Sequence, residues 1–309
     1  MDRPTRREVL AGATALAAGA LLPFEVRGAG PRPEELEIRA LALTRTVEEM
    51  GPAAALGAAS AHHHLVQAAL GAAVREHQRR PLHRASSMSA LVCARASRWA
   101  GQDWNGWLTL AESAARRADD GPLLAKAMLE RGNATGEAEH CADRVCPEAM
   151  QLYVAALHRA GTGQDQSGVR ADARFQLGWE IAAAGNEHGA LLELDAATVE
   201  AERAGWATNV IHSRVGIIQH RLGHLVDAEQ SLSRALDTPP PRHVWVLCSL
   251  AHTLAAFGDA DTAAGALEEA FLLTRAHGMK ARLPRILAVR SLLPPGRAAQ
   301  QLDELMRDA

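Results

Sequence analysis

From Glu34 onward, apolar residues recur at intervals of three and four and rarely alternate with polar ones. That is the period of a helix with one buried face, whereas a half-buried strand needs a period of two. The pattern predicts helices over 34–50, 52–77, 82–100, 103–118, 122–133, 146–160, 169–184, 187–204, 207–222, 225–237, 242–257, 260–277, 280–292 and 295–307. Breaks fall at Gly51-Pro52, Pro81, Gly121-Pro122, Pro239-Pro240-Pro241 and Pro294-Pro295, where the fixed φ and missing N–H of proline stop a helix. Asp259 and Asp261 stand where a helix opens, and a carboxylate there caps free amides. The stretch from Gly161 to Gly168 is expected to be the most flexible part of the chain and a site of proteolytic nicking.

A second periodicity lies over the first. Gly216, Gly223, Ala228, Leu232, Ala235 and Pro240 are spaced by seven, five, four, three and five residues. This resembles the tetratricopeptide repeat, a 34-residue pair of antiparallel helices. Small residues at 216 and 228 allow close helix approach, Gly223 sits at the turn, Leu232 and Leu236 fill the interface, and Pro240 blocks continuation. The same register recurs with Gly178, Gly185, Ala190, Leu194 and Ala197, and with Ala251, Gly258, Ala263, Leu267 and Ala270. Ala94, Gly101, Gly106, Leu110 and Ser113 form a weaker copy, and 122–160 reads as a degenerate pair. The resemblance implies an all-α, right-handed helical-hairpin solenoid (an α–α superhelix) of about five or six hairpins over 34–309.

The block Ser89–Asp120, with Ala100-Gly101-Gln102-Asp103-Trp104 at its turn, and the repeat order through Gly258–Ala263 resemble a known regulatory domain. It is the C-terminal tetratricopeptide region of helix-turn-helix regulators of the Xre type from high-GC bacteria. This implies a sensory or partner-binding module. The DNA-binding domain that precedes such regions has no expected counterpart in residues 1–33.

Composition narrows the picture. Hydrophobic residues make up 48% of the chain but aromatics only 4%, so Ala and Leu carry the core. A net charge of −3 supplies no basic field for direct nucleic-acid binding. Basic residues are nearly all Arg, with Lys only at 126 and 280, which reads as codon bias. Cys93 and Cys248 fall on helices as buried thiols. Cys141 and Cys146 are five apart and lack the spacing of a zinc or redox pair.

Residues 1–33 read as a leader and linker. Thr5-Arg6-Arg7-Glu8-Val9-Leu10 is similar to the twin-arginine export motif, and the apolar stretch Leu10–Phe24 suits a signal core. No A-x-A cleavage site follows, and Pro31 and Pro33 stand beyond the poor substitute at Val26-Arg27-Gly28. The expected location is cytoplasmic, with twin-arginine export as the alternative. Membrane contact is expected only through 1–24, where that segment is retained.

Candidate chemistry is sparse. His62, His63 and His64 point about 100° apart on a helix and read as a solvated face. His220 and His224 are four apart, a zinc spacing, but Gly223 places His224 in a turn and no Glu follows His220. No phosphate-binding loop or nucleophile motif is present. No catalytic residue, metal ligand or cofactor is therefore assigned. In tetratricopeptide arrays the first helix of each pair lines the concave surface. On these registers that places Arg95, Arg98, Trp99, Phe175, Trp179, Ser213, Ile217, His220, Arg221, Trp245 and His252 in a groove, with Cys248 beside them. Aromatic anchors and a few cations suit a protein or peptide partner, or an apolar small ligand with an acidic group; a homodimer is also compatible. The expectation is a non-enzymatic, regulatory binding module. An exported scaffold is the runner-up, and a metal-dependent enzyme stands third.

Overall fold

The computed structural model describes residues 31–73, 75–141, 143–236 and 240–307, so the export-like segment at 1–30 lies outside the described residues. Among the described residues the chain is all-α, with no strand. In chain order the helices are α1 (Pro33–Met50), α2 (Pro52–Ala72), α3 (Glu76–Trp99), α4 (Asn105–Arg117), α5 (Gly121–Cys141), α6 (Pro147–Ala160) and α7 (Ser167–Ala183). They continue as α8 (Glu187–Arg203), α9 (Thr208–Arg221), α10 (Leu225–Arg234), α11 (Pro240–Ala256), α12 (Ala260–His277), α13 (Leu283–Arg290) and α14 (Arg297–Arg307). Short 3₁₀ turns at Gln164–Gln166 and Lys280–Arg282 precede α7 and α13.

Local signals explain most boundaries. Pro52 and Pro147 occupy first turns, where the absent N–H leaves no bond unmade. The side chain of Asn186 accepts from Gly189 N at 2.9 Å, and that of Asp259 from Thr262 N at 3.2 Å. The register glycines Gly101, Gly185, Gly223 and Gly258 share a positive φ, between 71° and 83°, which a side chain would resist. Gly216 has the other job. A Cβ there would stand 2.7 Å from Leu232 Cγ, so its bare backbone lets α9 lie against α10.

Three expectations are corrected. Pro81 lies inside α3, which starts at Glu76. The extension is held from outside: Arg80 Nε donates to Ala118 O at 2.8 Å and Arg80 Nη2 to Asp119 Oδ2 at 3.1 Å. Pro240 opens α11 instead of ending α10, which has already stopped at Arg234. The helix expected over 122–133 runs to Cys141, because Gly132 and Gly136 serve close packing. A Cβ on Gly132 would meet the Tyr153 ring at 2.5 Å, and one on Gly136 would stand 3.2 Å from Ala149 Cβ.

Consecutive helices pack in pairs from α1–α2 through α11–α12, while α13 and α14 both pack on α12. The odd-numbered helices form an inner layer. Each of α1, α3, α5, α7 and α9 touches the next odd-numbered helix, and α11 returns to touch α1. The array therefore closes on itself. At the join His277 Nδ1 donates to Met50 O at 2.8 Å, and α12 meets α2. The core is divided into several clusters, each spanning neighbouring pairs; one joins Ala171, Phe175, Leu194 and Ile218, another Val244, Leu267, Phe271 and Ile286. Such division spreads stability over neighbour contacts. Among the described residues no helix is long and apolar enough to cross a membrane.

Candidate functional site

The closed inner layer surrounds a cavity of about 1030 Å³. Among the described residues its helical walls come from α1, α3, α5, α7, α9 and α11, completed by the loop at 205–207 and the two 3₁₀ turns. Eight sequence-derived positions line it: Arg95, Arg98, Trp99, Phe175, Trp179, Ser213, Ile217 and Trp245. The other three, His220, Arg221 and His252, gather in a polar cluster beside it. Cys248 is buried in the core of α11–α14.

The cavity is apolar in patches and neutral in charge. Phe175 stacks on Trp206 with ring centroids 6.0 Å apart. Arg45, Arg95, Arg98, Lys126, Arg214 and Arg282 face six carboxylates, Glu48, Glu49, Glu130, Glu137, Asp165 and Asp172. Arg95 is paired with Glu48 and Glu130. Arg98 lies 3.6 Å from Glu130 and 3.8 Å from Glu137, and Arg214 is 2.9 Å from Asp172. Burial alone would push the Glu130 carboxyl up, but Arg95 and Arg98 outweigh it and hold the pKa at about 2. The arginines expected to meet a ligand are thus engaged within the fold, since a buried guanidinium requires a counter-ion.

The aromatic anchors are engaged as well. Arg282, from the C-terminal 3₁₀ turn, lies 4.9 Å from the Trp245 ring centroid and 5.7 Å from that of Trp99. Its Nη1 donates to Glu137 at 2.7 Å. Elsewhere on the wall, Trp179 lies under Arg221 at 4.3 Å and edge-on to His140 at 4.2 Å.

The polar cluster ties four segments together. Asp143 accepts from Arg285 Nη1 at 2.6 Å, and its other oxygen lies 3.1 Å from Arg221 Nη2. His252 Nδ1 is 2.9 Å from His220 Nε2, and Thr253 Oγ1 is 3.0 Å from His220 Nδ1. Thr253 spends its proton on Ser249 O at 2.9 Å, so it accepts from His220 Nδ1–H and leaves His220 Nε2 as an acceptor facing His252 Nδ1, which also lies 3.3 Å from both Asp143 Oδ2 and Arg285 Nη2. Both rings are neutral in this arrangement. Burial, reinforced by His252 and Arg285, pushes His220 down to about 3. Burial and Arg285 push His252 down to about 4.

The remaining histidines differ from expectation. His62 and His63 are buried, and only His64 is exposed. His62 Nδ1 lies 3.0 Å from Ser89 Oγ, and His63 stands edge-on to Trp107 at 5.0 Å. The α2 face carrying them packs on α3, a placement that the run of three histidines could not reveal. His224 pairs with Glu187 at 3.0 Å instead of with His220. Among the described residues no group of three His, Cys, Asp or Glu side chains has the geometry of a metal site.

Sequence reasoning missed Lys126, Glu130, Glu137, Asp143, Asp172, Trp206, Arg282 and Arg285. A signal existed for α5. Lys126, Glu130, Asn133, Glu137 and His140 recur every three or four residues, a polar stripe on the inward face of a helix. No protein-family model matches the chain, and no curated protein matches it in sequence.

Proposed function

We propose that the chain is a non-enzymatic, regulatory binding module built on hairpins of the tetratricopeptide kind, with a short peptide segment of a partner protein held in the central cavity. One observation carries this reading: the inner helices of six successive pairs converge on a single 1030 Å³ space that four tryptophans face. Spaces of about this size suit small ligands and short segments. Balanced charge and stacked rings favour an occupant with mixed apolar and polar groups over a polyanion.

Ser213→Phe tests it. Ser213 is half-buried on the cavity wall, and a ring there takes up part of the space while leaving every charged side chain of the wall in the sequence. The full chain and the variant, equal in circular dichroism, are each used to capture partners, which are then identified and re-tested as synthetic segments. A segment that binds the full chain and fails on Ser213→Phe supports the proposal. Equal binding to both removes the cavity from consideration.

A further inference from the structure

A second cavity, of about 540 Å³, lies between α1, α3 and α5, with Leu41, Val47, Met88, Leu91 and Leu123 on its walls. It shares Arg95, Lys126, Asp165 and Val169 with the central cavity. Lys126 therefore stands at the junction of the two. It differs from the arginines around it. Arg95, Arg98, Arg214 and Arg282 each hold a carboxylate, and Arg45 is exposed to solvent. The Lys126 amine has no hydrogen bond or ion pair among the described residues. The carboxylates that act on it from nearby are Glu130, Glu48 and Asp172, and all three are already taken by arginines. Burial, and then the Arg95 guanidinium, hold its pKa below the ordinary lysine value, as expected for a cation lacking a counter-charge.

We propose that Lys126 is the counter-charge for a small amphipathic carboxylic acid whose aliphatic body fills the cavity between α1, α3 and α5. One ammonium matches one negative charge, which favours a carboxylate over a dianionic phosphate. The cavity's aliphatic residues offer a face to a short straight chain, while Arg84 and Asp120 on the same wall lie 3.5 Å apart and offset each other. Asp165 is the carboxylate common to both cavities; its Oδ2 accepts from the Gln166 side chain. It opposes an incoming anion and limits affinity. This site adjoins the peptide site at Lys126 but has its own aliphatic walls, so either proposal can fail alone.

Octanoate and octanol are the probes, since they share a chain length and differ in charge. The wild-type chain should bind octanoate at least tenfold more tightly than octanol by titration calorimetry. Lys126→Met keeps the stem and removes the charge, so the preference should vanish while thermal stability holds or rises. Lys280→Met should change neither affinity, and Asp165→Asn should tighten octanoate alone. The chain has only two lysines, so ¹³C-methylation of its amines gives a readout that needs no variant. The Lys126 signal should shift with octanoate and stay with octanol. Equal affinity for both probes, no binding of either, or a preference that survives in Lys126→Met overturns the proposal. Each of those outcomes leaves the Ser213→Phe test intact.

Discussion

Gly51 lies at the join between the two ends of the array, against His277, and replacing it with alanine tests the closure. Its backbone sits at φ 84°, ψ 173°, a region that costs a side-chain-bearing residue about 1–3 kcal/mol. A Cβ there would lie 2.8 Å from His277 Cβ and 2.9 Å from His277 O. His277 must move, and its hydrogen bond to Met50 O is then worth about 1 kcal/mol lost. The sum is about 3 kcal/mol, or roughly a hundredfold in opening equilibrium. Hydrogen exchange resolved by peptide is the assay. Exchange should rise by that factor in α1–α2 and in α11–α12 together, with α6–α8 unchanged. His277→Ala alone should cost about 1 kcal/mol, and the double variant should fall short of additivity because both act at one contact. Faster exchange confined to α1–α2 would refute the reasoning, since strain at Gly51 would then be a local matter and the closure no unit of stability.

Other consequences follow from the same contacts. His220 and His252 are neutral in the fold but titrate near 6.5 when unfolded, so the unfolded chain binds more protons and stability falls as pH drops below 6.5. With folded values of about 3 and about 4, each costs about 2 kcal/mol between pH 7 and pH 5; a flat denaturation midpoint over that range would exclude the neutral pair. Asp143→Ala strips the carboxylate from Arg221 and Arg285 and should cost about 3–5 kcal/mol, whereas a loss under ~1 kcal/mol in urea unfolding would show that the cluster is dispensable. Gly216→Ala drives a methyl against Leu232 Cγ at 2.7 Å and should lower stability by about 1–3 kcal/mol. In a cycle with Leu232→Ala, itself costly because Leu232 is fully buried, the two losses should fall short of additivity, and strict additivity would show that the clash lies elsewhere.

The α-helical class and nearly every helix were legible in the sequence, because periodicity, proline and capping act within a few residues of themselves. The turn glycines were legible for the same reason: a positive φ at Gly223 or Gly258 is a local demand. The inward face was readable through the repeat spacing, which placed Trp99, Phe175, Trp179 and Trp245 on one cavity. The pairing of charges was not. Arg95 meets Glu130 from another helix pair, and Arg282 reaches Glu137 across 145 positions, distances over which no spacing rule operates. Nor was the closure visible, since the contact of Met50 with His277 spans 227 positions. Local propensity determined the helices and their turns. Only tertiary packing, where desolvated charges must find partners and the first pair meets the sixth, decided which groove residues are already spent on the fold.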